Sequence, residues 1–419
     1  KTCRGLSSWK DLNKNQGDVC YHRIVGITMD VELFSIDGKT GKLCDDFGNK
    51  GIVNLRKGLG NHPDTYYWSS SPPAIIGNKL IVGGSVIDNL SINIPGGVVR
   101  AYDIRTGELI WYWDPIPPGK EAVLDDDGNH LYQRGTANVW SIISTDPDLN
   151  LIYLPTGNAS PDYYGGHRKG LDYYNSSVVA LNADTGEVVW HFKTVYHDVW
   201  DYDVPSQPTF YDVEKDGKII KALAQTTKMG LVFLLNRETG EPIFPVEERK
   251  VPQGSLEGEN LSKTQPFPTK PLPLNPINFD PDEAYGFTFW DRGYCKRTAK
   301  KLRNEGLYTP PSLQGSIHYP SAIGGNNWGG PAIDHSRNVM VVNTMNLASL
   351  IVMIPREDCN KSLEELAIND TQARFTAIEQ NEGIPYCNLR SMGFFSPLGV
   401  PCTKPPWGTL TAVDLNTGD

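Results

Sequence analysis

The sequence predicts an all-β fold, a β-propeller, and two observations lead to this prediction. The 419 residues include 41 glycines, 31 prolines, 19 tyrosines and 10 tryptophans, a mixture that favours many short strands joined by tight turns over long helices. The second observation is a recurring phrase of alternating apolar residues, then Asp or Asn, then a Thr-Gly turn. It occurs at residues 33–43, 99–113, 178–192, 232–244 and 410–419.

Each repeat has the pattern of an antiparallel hairpin. The Asp or Asn side chain caps the turn, and Gly supplies the positive φ that the reversal of direction requires. A tryptophan that follows the turn, as at Trp111 and Trp190, can pack against the neighbouring sheet. Repeats of this kind, spaced tens of residues apart in an all-β chain, indicate the blades of a propeller.

Two stretches interrupt the repeats. The first, near residues 250–285, includes the proline-rich segment 265–276, which predicts an extended loop. The second, near residues 358–392, begins with a polar segment that predicts one or two helical turns. We interpret both as loop insertions on one ring, so that residues 1–419 form a single partial propeller domain. The last repeat lacks its second strand, and a propeller must close to remove its sheet edges, so we expect the chain to cover part of the ring.

Charge and composition exclude several classes of function. A net charge of −10 and a pI near 5.4 argue against a nucleic-acid surface, which needs clustered Lys and Arg. No stretch approaches the roughly eighteen consecutive apolar residues of a membrane-spanning helix. The seven cysteines contain no CxxC pair, which argues against a zinc or iron–sulfur site. Cys3 and Cys20 are close enough in sequence for a disulfide in an oxidising compartment, with free buried thiols as the alternative. An odd number leaves at least one cysteine unpaired within the chain.

The stretch TVYHDVWDYDVPSQP, residues 194–208, places Asp198, Asp201 and Asp203 among aromatic residues. A run of charges is commonly a solvated face, so the stretch alone does not define a site. Asp88 and Asn158 also follow predicted strands. Oxygen atoms from Asp88, Asn158 and Asp201 would suit a hard divalent cation, although Asp and Asn at strand ends usually serve turns.

An ordered series of motifs resembles the quinoprotein dehydrogenases, and most strongly the membrane-associated glucose, polyol and quinate dehydrogenases that use pyrroloquinoline quinone (PQQ). In chain order the motifs are CRG, SSPP, GGSVIDN, VVRAYDIRTGELIW, NVW, LIYLPTGN, HDVWDYD, TTKMG, NNWGG and PPWGTL, and they extend over nearly the whole chain. The resemblance implies an eight-bladed β-propeller with the cofactor near the central axis. This chain would supply the middle and larger part of that ring.

The resemblance assigns cofactor contacts to individual residues. Trp140 matches the ring on which the flat quinone stacks, with a core tryptophan between blades as the alternative. Arg4 matches a group that holds a cofactor carboxylate, for which the forked guanidinium is suited. Lys228 matches the cation that bonds the quinone oxygens, with a solvated surface lysine as the alternative. The implied contacts with PQQ are Arg4, Ser70, Trp140, Lys228, Asn327 and Trp407.

The resemblance also implies a cation site and a catalytic base. Ca²⁺ or Mg²⁺ would be held by Asp88, Asn158 and Asp201, with Asn89 as a substitute or second ligand. Asp201 matches the base that takes the substrate's hydroxyl proton while hydride passes to the quinone, and nearby positive charge would keep it ionised. The cation would act as a Lewis acid, and Lys228 would stabilise the developing oxyanion.

The other polar residues of the 194–208 stretch have structural roles in this interpretation. His197 and Asp198 would support the loop, and Tyr202 and Asp203 would pack against it or cap it. Trp9 stands where membrane glucose dehydrogenases carry a substrate-binding histidine, and an indole donates only one hydrogen bond. A cyclic polyol acid such as quinate, or another polyol, is therefore favoured over glucose.

The predicted protein is a periplasmic PQQ-dependent dehydrogenase that passes electrons to ubiquinone and is associated with the inner membrane through parts outside this segment. The absence of an adjacent Cys-Cys pair fits the membrane-associated branch. One alternative is a non-catalytic propeller of the outer-membrane assembly type, with the same Thr-Gly-Trp repeats. Another is a truncated enzyme that keeps the site without closing its ring. Trp140, Asp201 and Lys228 in their specific contexts favour the enzyme.

Overall fold

The structure is a computed structural model that describes residues 4–120, 123–124, 130–215, 217–362, 364–366 and 377–419. Antiparallel sheets dominate it, as the sequence predicts. Among the residues described, there is no helix with the length and hydrophobicity needed to cross a bilayer.

Six sheets of three or four antiparallel strands form blade-like units within the described ranges. The first sheet contains β1 (Ser7–Lys10), β2 (His22–Ile27), β3 (Glu32–Asp37) and β4 (Ile52–Asn54). The second has the order β10 (Leu109–Trp113), β9 (Val99–Asp103), β7 (Lys79–Val82) and β6 (Ala74–Ile76). The third contains β13 (Ser144–Asp146), β14 (Leu151–Pro155), β15 (Ser177–Asn182) and β16 (Val188–Lys193).

Three sheets of three strands follow. The fourth contains β17 (Thr209–Lys215), β18 (Lys218–Thr226) and β19 (Val232–Asn236). The fifth contains β22 (Ser316–His318), β25 (Ser349–Pro355) and β26 (Tyr386–Arg390). The sixth contains β23 (Ala332–Asp334), β24 (Val339–Met345) and β27 (Gly408–Asp414). Six units in the described residues agree with the prediction that this chain covers part of an eight-bladed ring.

Smaller elements connect the sheets. One α-helix, α1 (Phe289–Ala299), is present in the described residues, together with short 3₁₀ turns at Asp64–Tyr66, Pro281–Glu283 and Arg356–Asp358. The two-stranded ribbons pair β5 (Tyr67–Trp68) with β8 (Ser85–Val86), β11 (Val123–Leu124) with β12 (His130–Leu131), and β20 (Val246–Lys250) with β21 (Thr264–Pro268).

The repeats form turns with the chemistry that the sequence predicts. In the second repeat Asp103 Oδ1 accepts hydrogen bonds from the backbone N–H groups of Arg105 and Thr106, at 2.8 and 2.9 Å. Gly107 then adopts φ +72°, in the left-handed region that favours glycine. This turn joins β9 to β10, so the predicted hairpin is confirmed.

The tryptophans after the turns of the second and third repeats attach their sheets to the repeat that follows. The Nε1 of Trp111 donates to the carbonyl of Ala183 at 3.0 Å, and the Nε1 of Trp190 donates to the carbonyl of Arg237 at 3.0 Å. A Cβ on Gly186 would lie 2.6 Å from the ring of Trp111, so only glycine allows this approach. The predicted packing of these tryptophans against neighbouring sheets is confirmed.

Both predicted insertions contain more regular structure than the sequence indicates. In the first, the segment 265–276 is not wholly a loop, because its beginning belongs to β21, which pairs with β20. In the second, β26 completes the fifth sheet by pairing with β25, so its end is part of a blade. One or two helical turns are predicted somewhere within residues 358–383, and of this segment residues 363 and 367–376 lie outside the described residues.

Three disulfides join Cys20 to Cys44, Cys295 to Cys402, and Cys359 to Cys387. The prediction that Cys20 pairs with Cys3 is therefore wrong, and so is the alternative of a free thiol at Cys20. The hairpin of the first repeat returns the chain to Cys20, which brings the Cα of Cys44 to 5.9 Å. Cys3 lies outside the described residues.

Candidate active site

The 194–208 stretch is a buried loop between the third and fourth sheets. Trp200 and Tyr202 are fully buried in the cluster that also contains Trp190 of the third sheet and Phe233 of the fourth. The buried carboxylate of Asp198 accepts hydrogen bonds from the backbone N–H groups of Trp200 and Tyr202, at 2.9 and 3.0 Å. The solvated-face interpretation of this stretch is therefore wrong.

His197 ties the start of the loop to two other segments. Its Nδ1 lies 2.9 Å from Oδ2 of Asp172, and its Nε2 lies 2.6 Å from Oε1 of Glu259. These contacts give His197 the supporting position that the sequence predicts. His197 and Asp201 have φ of +48° and +61°, values that non-glycine residues adopt only when their surroundings enforce them.

The loop presents Asp201 and Asp203 to a cavity of about 460 Å³, a size within the range of small-molecule sites. The cavity brings together residues that are far apart in the chain, and seven of the ten predicted site residues lie in its wall. Its described lining consists of Arg4, Trp68, Ser70, Ser85, Val86, Asp88, Asn138, Trp140, Asp201, Asp203, Lys228 and Asn327.

A buried ammonium group organises one side of the cavity. The Nζ of Lys228 lies 2.7 Å from Oδ1 of Asp201 and 3.1 Å from Oδ2 of Asp203. Lys228 is 5 % exposed, so the solvated-surface alternative is wrong. The Nε1 of Trp140 donates to Asp203 Oδ2 at 2.9 Å, and this bond fixes the indole beside the same two carboxylates.

A second cation contacts Asp201 from the fifth sheet. The Nη1 of Arg390 lies 3.4 Å from Asp201 Oδ2, and its Nη2 lies 2.8 Å from Oε1 of Glu379. Asn388 donates to the other oxygen of Glu379 at 2.7 Å. The two oxygens of Asp201 thus face different cations, one on each side of the cavity wall.

The crowding of carboxylates shifts their pKa values. Burial raises the pKa of Asp201 well above its usual value, and the charges of Asp203 and Asp88 add to this rise, while Lys228 and Arg390 oppose it. The carboxylate of Asp88 is open to the cavity but surrounded elsewhere by protein, which together with Asp203 raises its pKa to about 6. Burial and the charge of Asp201 likewise raise the pKa of Asp162. The positive charge predicted to keep Asp201 ionised is present, but burial and like charges outweigh it.

Arg4 lies against the face of Trp140. Its Cζ is 5.0 Å from the centre of the indole ring and 5.2 Å from that of Trp328. The Nη1 of Arg4 donates to Oγ of Ser70 and to the carbonyl of Trp140, both at 2.9 Å. Its Nε is buried and has no hydrogen-bond partner among the described residues, so this N–H is left to donate to a further anionic group.

The predicted cation ligands lie in different surroundings. Asp88 and Asp201 line the cavity, whereas Asn158 is not among the described residues of its wall. Oδ1 of Asn158 is already engaged, since it accepts from Nδ2 of Asn175 at 2.6 Å and from the N–H of Ala159 at 2.9 Å. The amide oxygen of Asn158 would have to exchange one of these bonds to bind an ion.

Asn89 forms a reciprocal pair with Asp162. Its Nδ2 donates to Asp162 Oδ2 at 2.8 Å, and its Oδ1 accepts from the N–H of Asp162 at 2.9 Å. Both polar atoms of Asn89 therefore orient a buried aspartate beneath the site. The position of Asn89 therefore gives no support to the prediction that it is a substitute or second ligand of the divalent cation.

Two predicted contacts lie outside the cavity wall. The indole Nε1 of Trp9 donates to the carbonyl of Gly77 at 3.0 Å, and the guanidinium of Arg105 covers its ring at 4.8 Å. The Nε1 of Trp407 donates to the carbonyl of Thr403 at 2.7 Å, and its ring packs edge-on against Tyr285. Neither indole is among the described residues that line the cavity, so the geometry does not support a substrate contact by Trp9 or a cofactor contact by Trp407.

Sequence reasoning missed two charged residues of the site. The sequence predicts a packing or capping role for Asp203, yet this residue contacts both Trp140 and Lys228. Arg390 lies within the segment interpreted as an insertion, and no local motif marks it. The signal for Asp203 is its place two residues after Asp201, because both lie on a loop whose intervening residue, Tyr202, is anchored in the core.

The residues present fit a planar, polyanionic quinone. Trp140 offers an aromatic face, while Arg4 and Lys228 offer positive charge at the same cavity. The cluster of Asp88, Asp201 and Asp203 supplies the oxygen donors that a hard cation prefers. In the described residues, however, their carboxylates do not gather within 4.8 Å of one another as a trio, so an ion here would need further ligands.

Comparison with known proteins agrees with this geometry. Residues 1–419 match the family model described as PQQ, glucose/ethanol/alcohol dehydrogenase, beta-propeller domain. The chain is 36% identical to quinoprotein glucose dehydrogenase of Escherichia coli strain K12, over 100% of this chain and 52% of that protein. It is 37% identical to quinate/shikimate dehydrogenase (quinone) of Acinetobacter baylyi, over 95% of this chain and 49% of that protein.

A solved structure supports the fold. Quinohemoprotein alcohol dehydrogenase from Comamonas testosteroni superposes with a TM-score of 0.60 at 19% identity, covering 100% of this chain and 52% of that one. The chain spans about half the length of the curated relatives it matches. With a family model matched over its whole length, the chain belongs to the β-propeller family of PQQ-dependent glucose, ethanol and alcohol dehydrogenases.

Proposed function

We propose that this chain forms the cofactor-binding and catalytic part of a PQQ-dependent dehydrogenase that oxidises a sugar, a polyol or a cyclic polyol acid. The observation that carries the proposal is the convergence of Trp140, Asp201, Lys228 and Arg4 on one cavity. A propeller that served only as a scaffold would have no need to bury Lys228 between two carboxylates, since burying charges is costly.

The residues of the cavity have distinct roles in the proposed reaction. Trp140 would provide a flat wall for PQQ, and Arg4, Ser70 and Asn327 would hold its polar groups, since all four residues line the cavity. When bound, PQQ supplies the chemistry of hydride acceptance, which amino-acid side chains lack. Asp88 and Asp201 would contribute oxygen ligands to Ca²⁺ or Mg²⁺.

Asp201 is the proposed general base. A carboxylate that accepts the hydroxyl proton of an alcohol needs a raised affinity for protons and a fixed orientation. Burial supplies the first, and the contacts of its two oxygens with Lys228 and Arg390 supply the second. Lys228 also brings positive charge to the wall at which negative charge would develop during oxidation.

The substrate class follows from the relatives, whose names include glucose and quinate/shikimate dehydrogenases. The preference for quinate based on Trp9 loses its support, because Trp9 is not among the described residues that line the cavity. Ubiquinone as electron acceptor and a periplasmic, membrane-associated location complete the proposal. The three disulfides support an oxidising compartment.

The test is reconstitution of the full-length protein with PQQ and either Ca²⁺ or Mg²⁺, followed by dye reduction with glucose, glycerol, quinate and shikimate. We expect quinone absorbance in the protein fraction and reduction with at least one of these compounds. A Trp140→Ala, Lys228→Ala double variant should lose both signals. If the unaltered protein neither binds PQQ nor reduces dye with any substrate, the scaffold alternative replaces the enzyme.

A further inference from the structure

A second, larger cavity of about 1110 Å³ lies between the first and second sheets. Its wall includes Arg100 of β9 and residues of the segment that follows β4. Arg56, Lys57, Arg100 and Arg134 all line it, and no Asp or Glu is among its described lining residues. In a chain with a net charge of −10, four cations around one cavity form an unusual concentration of positive charge.

Arg100 is the central observation. Its side chain is 1 % exposed, and within the described part of the chain it has no carboxylate partner. The Nη1 donates to the carbonyl of Lys57 at 3.3 Å, the phenol groups of Tyr67 and Tyr102 lie within reach of the guanidinium, and its Cζ is 5.8 Å from the centre of the Tyr132 ring. Among the described residues, Nε and Nη2 are buried without a hydrogen bond of normal geometry, so these neighbours do not fully satisfy the group. Its near neighbours include the phenol groups of Tyr102 and Tyr67, and neither side chain is a carboxylate. Burying a charge without a counterion is unfavourable, so a guanidinium in this state is suited to an anion supplied from outside.

The other cations retain free positive charge toward the cavity. Arg134 donates to Oδ1 of Asn93 at 2.9 Å and to the carbonyl of Asn61 at 3.1 Å, which orients it without neutralising it. Lys57 is exposed at the rim. Arg56 pairs with Asp64 at 3.1 Å, but that carboxylate is 87% exposed and water screens the pair.

The cavity also has an apolar side. Leu109, Leu124 and Leu131 line it, and Leu109 and Leu124 are 48% and 60% exposed. A ligand that fills this space would present an anionic group to the arginines and a hydrocarbon group to the leucines. Guanidinium groups bind phosphate through paired, charge-assisted hydrogen bonds.

We propose that this cavity binds a phosphate ester that carries an apolar group, with the phosphate held by Arg100, Lys57 and Arg134. The proposal does not depend on the PQQ site, because no described residue is common to the walls of the two cavities. The phosphate belongs either to a lipid headgroup or to a soluble ester. The two sources differ in how much contact with the leucines adds to the affinity.

The experiment is calorimetric titration of the full-length protein at low salt with three probes. These are a short-chain phosphatidylglycerol below its micelle concentration, glycerol phosphate, and a neutral short-chain alkyl glucoside. A Lys57→Gln, Arg134→Gln double variant, altered at the cavity rim, should bind the phosphate probes at least about tenfold more weakly. The matched control is Lys250→Gln, an exposed lysine of β20 outside the cavity. An Arg100→Met variant tests the buried cation directly, and its thermal unfolding checks the fold.

The proposal is supported if both phosphate probes bind and if this binding is weaker in the double variant and in Arg100→Met. Binding should be unchanged in Lys250→Gln. Tighter binding of the lipid identifies a headgroup, and equal affinity identifies a soluble ester. Absence of binding, or equal binding of the neutral glucoside, overturns the proposal.

The sequence Asp125, Asp126, Asp127 lies between β11 and β12. If the phosphate probes bind only after all three aspartates are changed to Asn, the chain's own carboxylates are the counterions of the arginines. That result would also overturn the proposal.

Discussion

The guanidinium of Arg390 lies 3.4 Å from the carboxylate of Asp201, although 189 residues separate them in the chain. This contact opposes the effect of burial on Asp201, the proposed base, because a nearby positive charge lowers the pKa of a carboxylic acid. We expect Arg390→Gln to raise the pKa of Asp201. The acidic limb of the kcat/KM profile should move to higher pH, since a base is active only when ionised, and activity at acidic pH should fall about tenfold for each pH unit by which the limb moves. Arg390→Lys, which keeps the charge, should restore much of the profile, and an unchanged acidic limb in Arg390→Gln would contradict the assignment.

Asp201→Asn should abolish turnover while PQQ remains bound. The amide keeps the shape of the side chain but cannot accept the hydroxyl proton, so we expect a loss of about 10²–10⁴-fold in kcat. Quinone absorbance measures the bound cofactor. Asp203→Asn is the matched comparison, because Asp203 contacts the same Lys228 and lines the same cavity. A larger loss in Asp203→Asn than in Asp201→Asn would transfer the role of base to Asp203.

Trp140→Ala should weaken PQQ binding by about tenfold or more, because the variant loses the aromatic wall of the cavity. Trp140→Phe keeps a ring and loses only the hydrogen bond to Asp203, so it should bind PQQ more tightly than the alanine variant. Titration of the protein with PQQ, followed by fluorescence, measures both affinities. Identical affinities in wild type and Trp140→Ala would place the cofactor elsewhere.

Gly186→Ala should destabilise the protein more than Gly170→Ala. Both glycines have positive φ, +74° and +88°, so each alanine costs about 1 kcal/mol in backbone strain. A Cβ on Gly186 also meets the ring of Trp111 at 2.6 Å, whereas one on Gly170 meets no described atom within 4 Å. The contact should add about 1–3 kcal/mol to the loss in free energy of unfolding. Equal losses in denaturant unfolding would mean that Trp111 moves aside without cost.

Acid should destabilise the protein partly through His318. This histidine is fully buried, neither ring nitrogen has a hydrogen-bond partner among the described residues, and burial lowers its pKa to about 3. Its unfolded form protonates near its ordinary pKa of about 6.5, so the folded state loses stability as pH falls from about 6.5 toward 3. Between pH 7 and pH 5 this amounts to about 2 kcal/mol. His318→Leu should lose less stability over the same interval, and an equal loss would assign the effect to other groups.

The sequence predicts local structure well where that structure depends only on residues adjacent in the chain. The turn at Asp103 and Gly107 is determined by five consecutive residues, so its chemistry is readable without the rest of the chain. The motifs around Trp140, Asp201 and Lys228 are also recognisable, and these residues do line one cavity. That cavity depends on the closure of several sheets, which no single motif encodes.

Contacts across sheets could not be predicted. Arg390 reaches Asp201 because β26 pairs with β25, and the polarity of this segment alone indicates an insertion. Cys20 pairs with Cys44 because a hairpin folds back between them. Trp9 matches a substrate position by its distance from the CRG motif, but its indole packs with Arg105 and Gly77.

The hydrogen bonds of Trp111 and Trp190 impose an order on the completion of the sheets during synthesis. Their acceptors lie 72 and 47 residues further along the chain. On the ribosome, each of these sheets must therefore emerge before the carbonyl that secures its outer strand has been synthesised. The hydrogen bond of each indole can form only after the next repeat has been synthesised. A pause in translation within the third or fourth repeat would therefore leave the preceding tryptophan without its acceptor and accessible to chaperones.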